Sequence, residues 1–181
     1  MTSRNEVDQE PVNQVSDPLS FARNIALQQL NYAPRSRKEL ADKMRSKDVP
    51  ADIIEQVLDR LTEVGLIDDV AYAQMLVRSK QNSRKLATRA LRVELTKKGI
   101  SPDVAAQVLA EVTSDDELEM ARAVVEKKMR SLGNYDVDVI KRRLGGMLAR
   151  KGYSSNVTMQ VIREALVVRD AEINDADFVL D

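Results

Sequence analysis

Apolar residues along most of this chain recur three and four positions apart, the spacing that places them on one face of a helix. Residues 52–64 show it well, with Ile53, Ile54, Val57, Leu58, Leu61 and Val64 on one face and acidic residues opposite. The pattern also repeats. Segments beginning at Glu39, Ala90 and Arg143 align without gaps over about twenty residues. Leu40, Leu91 and Leu144 correspond, then Met44, Leu95 and Leu148, then Lys47, Lys98 and Lys151. Asp48, Gly99 and Gly152 follow, then Val49, Ile100 and Tyr153, and the register ends on Gln56, Gln107 and Gln160 with Val57, Val108 and Val161.

Each copy reads as helix, turn, helix: a basic last turn, a residue at the left-handed stop, then a capped start. Ser101 is placed to cap, Pro102 fits the first helical position, and Asp103 complements the positive end of the helix dipole. Asp48 takes the place of Gly in the first copy, which predicts a strained stop. A further helix precedes each pair, over residues 19–30, 70–81 and 117–132. Capping boxes are expected where Ser36 precedes Glu39 and Ser114 precedes Glu117. The fold class that follows is all-α, with three tandem three-helix repeats forming an elongated, curved helical array. Units of this size bury little apolar surface alone, so neighbours are expected to stack and share interfaces. The expected boundaries are a disordered acidic arm at 1–18, repeats at 19–68, 69–113 and 114–166, and a mobile acidic tail at 167–181.

Composition supports helices and narrows the chemistry. The chain has 181 residues, 43% hydrophobic and only 3% aromatic, with no Cys and no His. Thiolate catalysis, disulfides, Cys-ligated zinc and histidine general bases are therefore excluded. No apolar run is long enough for a membrane span, and the start lacks the layout of a signal peptide, so a cytoplasmic monomer without a cofactor is expected. Net charge is -1, unevenly spread. Residues 1–20 set Arg4 against Glu6, Asp8, Glu10 and Asp17, and residues 167–181 set Arg169 against Asp170, Glu172, Asp175, Asp177 and Asp181. The stretch between is consequently cationic.

The cationic residues form the candidate site. Arg78, Lys80, Arg84, Lys85, Arg89, Arg92, Lys97 and Lys98 gather in the second unit, opposed only by Glu94, and Arg142, Arg143, Arg150 and Lys151 lie in the third. Lys85, Arg89 and Arg92 are spaced as one stripe of a helix whose buried stripe is Ala87, Leu91 and Leu95. Such a face suits phosphates or an acidic protein surface; its bland alternative is charge that favours helix ends and solubility. Asp68, Asp69, Asp115, Asp116 and Glu117 could be drawn as Mg²⁺ ligands, but helix capping explains them more simply, so no metal site is expected. Gly145 and Gly146 lack the surroundings of a phosphate loop and predict a close helix approach or a kink.

Several motifs carry a family resemblance. They are Arg35-Ser36-Arg37-Lys38-Glu39-Leu40 with Met44, Gly65-Leu66-Ile67-Asp68-Asp69 with Tyr72-Ala73, Glu94-Leu95-Thr96-Lys97-Lys98-Gly99-Ile100, and Leu148-Ala149-Arg150-Lys151-Gly152-Tyr153-Ser154. In this order and spacing, residues 19–166 resemble the bacterial RecX proteins. Asp48 in place of Gly, and a segment Asn82-Ser83-Arg84-Lys85 without Gly, are departures. The resemblance implies a regulator with no enzymatic activity that binds the RecA filament on single-stranded DNA. It implies inhibition of recombinase and ATPase activity, hence control of recombination, DNA repair and the SOS response. Weak, non-specific nucleic-acid binding through the basic face is expected beside it. The competing reading is a helical DNA-binding module acting independently of RecA.

Overall fold

The computed structural model describes residues 17–178, with side chains described through residue 171. These residues form nine helices and no strands. The first unit contains α1 (Pro18–Tyr32), α2 (Arg37–Arg45) and α3 (Ala51–Glu63); the second contains α4 (Asp69–Arg84), α5 (Thr88–Lys97) and α6 (Pro102–Leu109). The third contains α7 (Ser114–Met129), α8 (Val137–Arg150) and α9 (Ser155–Phe178). Most of the expected acidic arm falls outside the described residues, though Asp17 caps α1 and Pro18 already belongs to it. At the other end α9 continues without a break past residue 166, where a mobile tail was expected, and is helical to Phe178.

The helix starts follow local chemistry. Ser36 and Glu39 form the reciprocal capping box that satisfies two otherwise unpaired amides. Ser101 accepts from the Val104 amide at 3.3 Å, with Pro102 in the first turn. At α7 the box sits one residue earlier than expected: Thr113 and Asp116 cap each other, and Ser114 is already helical. The stops follow as well. Gly99 and Gly152 are left-handed, with φ of 76° and 89°, and Asp48 adopts φ 59° despite its Cβ.

Each unit keeps its own core. Leu40, Met44, Ile54 and Leu58 close the first, Leu91, Leu95 and Val108 the second, and Val125, Leu132, Ile140, Leu144 and Leu148 the third. All substantial helix contacts stay inside a unit, so the chain is an open array rather than a globule. The shared apolar interfaces expected between units are replaced by polar seams, because the loops and helix ends that meet there carry unpaired backbone groups needing partners. Ala87 is the exception. It stands at the start of α5 yet is fully buried in the core of the third unit.

The two seams repeat one design. In the first, the Ser36 hydroxyl donates to the Lys98 carbonyl at 2.7 Å and the Arg37 amide to Asp69 Oδ1 at 2.9 Å. In the second, the Ala87 amide donates to the Lys151 carbonyl at 2.9 Å and the Thr88 amide to Glu117 Oε1 at 2.5 Å. A carboxylate from the start of one unit thus satisfies a free amide at a helix start in the unit before it.

The left-handed glycines lie in these seams. A Cβ on Gly99 would stand 2.3 Å from the Lys38 side chain, and one on Gly152 would stand 2.5 Å from the Ala90 nitrogen. Asp48 occupies the equivalent place in the first unit, where the residue is exposed and meets no such neighbour among the described residues. The seam therefore explains why the first copy accepts a side chain there and the other two do not.

Candidate functional site

The start of α5, the end of α8 and the end of α4 meet over the second seam. The turn from α4 to α5 runs through Lys85 in the left-handed conformation, with φ 51°. Two main-chain carbonyls in that turn are satisfied from the third unit: Lys151 Nζ donates to the carbonyl of Arg84, and the Tyr153 hydroxyl donates to that of Lys85 at 3.0 Å. Burial pushes the Tyr153 hydroxyl up to about 12, with Glu117 adding to the effect, so it stays a donor at neutral pH. Burial, and the neighbouring Arg84, lower the pKa of Lys151.

A groove of about 490 Å³ opens on this seam. Arg84, Arg89, Lys97 and Arg150 line it, bringing cations of the second and third units together. No carboxylate lies within 4.0 Å of Arg84, Arg89 or Arg150 among the described residues. Glu94 is the acid in the lining, held between Lys97 at 3.3 Å and Lys80 at 3.8 Å. Its partial burial opposes ionisation, but the hydrogen bond from Lys97 and the charges of Lys97, Lys80 and Arg84 outweigh that and lower its pKa. Val93 stands in the same groove, 51% exposed, one helical turn from both Arg89 and Lys97.

The remaining basic candidates lie elsewhere. Lys85 is in the turn, not on α5, so the stripe expected from Lys85, Arg89 and Arg92 is not continuous. Arg92 is exposed on α5 and Arg78 on α4, neither of them lining the groove. Lys80 is engaged by Glu94. Lys98 belongs to the first seam, where it meets Glu39 at 2.5 Å, and Lys151 belongs to the second. Arg142 is exposed on α8, and Arg143 lies over the ring of Tyr135 at 4.4 Å from its centroid.

The carboxylates considered as metal ligands have structural partners. Asp68 accepts from the Val70 and Ala71 amides, both at 2.9 Å, Asp69 caps α2 across the first seam, and Asp116 caps α7. Glu117 reaches Thr88, a role that no local pattern signals. Asp115 is exposed in the first turn of α7. Among the described residues no three such groups converge to hold a metal ion.

Gly145 and Gly146 do not meet the close helix approach that was one of the two expectations for them. α8 is unbroken from Val137 to Arg150, and no neighbouring helix crowds either glycine. A Cβ on Gly145 would meet nothing within 4 Å, and one on Gly146 only the flexible end of Arg150 at 3.4 Å. A larger cavity of about 560 Å³ lies between α7 and α9, but its Arg122 pairs with Glu164 at 2.8 Å and its Arg130 with Glu126 at 3.1 Å. No helix of the described residues is long and apolar enough to cross a membrane.

Comparison with known proteins places this arrangement in a family. The profile of the RecX first three-helix domain matches residues 22–61, that of the second matches 68–109, and that of the third matches 115–162. The chain is 43% identical over 150 residues to the regulatory protein RecX of Streptomyces lividans, covering 83% of this chain and 80% of that protein. It is 38% identical over 173 residues to the regulatory protein RecX of Mycolicibacterium smegmatis, covering 89% and 92%. The crystal structure of RecX from Lactobacillus salivarius superposes with a TM-score of 0.75 at 29% identity, over 83% of this chain and 97% of that one. A second RecX crystal structure gives 0.74 at 28%, over 80% and 73%. Three domain matches in order, together covering most of the nine helices, and relatives of this similarity along most of its length establish that the chain belongs to the RecX family.

Proposed function

We propose that this protein binds the RecA nucleoprotein filament on single-stranded DNA and inhibits its ATPase and recombinase activities, presenting the basic groove of the second seam to the filament. Support comes from the chain's membership of a family whose relatives carry the name regulatory protein RecX. The observation that carries the reading is the gathering of Arg84, Arg89, Lys97 and Arg150 over one seam, three of them without an acidic partner among the described residues. Cations held on helices and left unpaired retain their attraction for an anionic partner and speed its approach.

The test is a titration of purified protein into RecA assembled on single-stranded DNA, following ATP hydrolysis and filament length. Both fall if the proposal is correct. Unchanged hydrolysis and length at saturating protein reject it. Tight, sequence-selective binding to naked DNA without any effect on RecA would establish the independent DNA-binding module instead.

A further inference from the structure

We infer that the groove over the second seam takes an acidic peptide segment carrying an apolar side chain, with Val93 as the apolar contact, rather than a nucleic-acid backbone. The inference rests on the groove being the binding surface proposed above, and it names the chemistry of the partner. Arg89, Val93 and Lys97 follow one another at intervals of four on α5, so the valine lies on a ridge between two cations. Arg84 and Arg150 flank this ridge from the end of α4 and the end of α8.

The groove itself is half apolar in character. Leu86, Ala90 and Ala149 join Val93 in its lining, and Val93 keeps 51% of its surface open to water although it stands among charges. A phosphodiester strand satisfies the arginines yet gains little by covering a valine, and its charge meets the Glu94 carboxylate in the same wall. An acidic peptide with one Leu or Phe satisfies the arginines and also removes Val93 from water. Such a segment can place its carboxylates away from Glu94, whereas a phosphate backbone carries charge at every step. Charge complementarity thus favours an anion, and the exposed valine favours a peptide. α5 is ~15 Å long, which about five residues of extended chain would span.

The experiment uses the full-length protein and three fluorescent probes of equal net charge. One is a peptide of alternating Asp and Ser residues with a single central Leu, one is the same peptide with Ser in place of Leu, and one is an oligothymidylate. The Leu peptide should bind about tenfold more tightly than the Ser peptide in wild type. Val93→Thr should abolish that difference, leave oligothymidylate binding unchanged and preserve the helical circular dichroism spectrum, because Val93 contributes little to the core. Arg89→Glu should weaken the Leu peptide again, through charge. Equal affinity for the two peptides in wild type overturns the inference, as does an oligothymidylate that displaces the Leu peptide at equal charge and concentration. If either occurs while RecA hydrolysis is still inhibited, the peptide chemistry is rejected and the regulatory function stands. If RecA is unaffected at the outset, it is the function that fails.

Discussion

Gly152 lies so close beneath Ala90 that a Cβ added to it would sit 2.5 Å from the Ala90 nitrogen. This contact joins the end of α8 to the first turn of α5 and sets the spacing between the second and third units. Gly152→Ala therefore carries both the cost of a left-handed Ala, about 1–2 kcal/mol, and displacement of a backbone that has no freedom to yield. The expected loss is at least ~2 kcal/mol in urea unfolding of the third unit. Unchanged stability would mean that the seam is not closed in solution.

Asp48 offers the reciprocal test. It holds the same left-handed conformation, and its side chain is exposed. Asp48→Gly should relieve strain and raise the stability of the first unit by up to ~1 kcal/mol, read by chemical denaturation.

Gly145→Ala and Gly146→Ala should each stabilise the protein. Both glycines are helical, with room for a methyl group, and a helix-interior glycine costs roughly 0.5–1 kcal/mol relative to alanine. A thermal melt of each variant checks this, and a lower midpoint in both would show that α8 needs a kink.

Glu39 makes the first seam sensitive to acid. Burial raises its pKa, but hydrogen bonds from Lys98, Tyr72 and the Ser36 amide more than reverse that and hold the carboxyl below its ordinary value. A carboxylate with a depressed folded pKa contributes stability that is fully present above the unfolded value, ~4.3 for glutamate, and fades as pH falls through the folded one. Wild type should therefore lose stability more steeply than Glu39→Gln as pH drops below about 4.5. Parallel curves for the two proteins would assign the acid sensitivity to other groups.

Charge reversal tests the groove. Arg89→Glu combined with Arg150→Glu should weaken inhibition of RecA hydrolysis about tenfold or more, while Arg92→Glu, outside the groove, should act only weakly and through general electrostatics. Equal effects from the two variants would disperse the site over the whole basic surface.

The fold was largely legible in the sequence because the signals are local. Leu40, Met44 and their counterparts repeat the helical period, and Gly99, Gly152, Ser36 and Ser101 mark stops and caps that the flanking residues already signal. What escaped depends on distance or on near-equivalent choices. Lys85 stops α4 without the glycine that advertises such a turn, so a stripe drawn through it crosses a break in the helix. Thr113-Ser114-Asp115-Asp116-Glu117 supports a capping box in two registers, and the free Glu117 is used twenty-nine positions away by Thr88. The groove brings α4 and α5 together with α8, and no spacing rule reaches across a seam.

The separate cores have a mechanical meaning. Damage stays local: a cavity cut beneath Leu58 should loosen the first unit, about 2–5 kcal/mol for Leu→Ala, while leaving the packing around Leu144 intact. The two joints differ in kind: the first is held by hydrogen bonds and an ion pair, whereas the second also sinks Ala87 into the third core and sets Gly152 against the Ala90 backbone, coupling its two blocks more firmly.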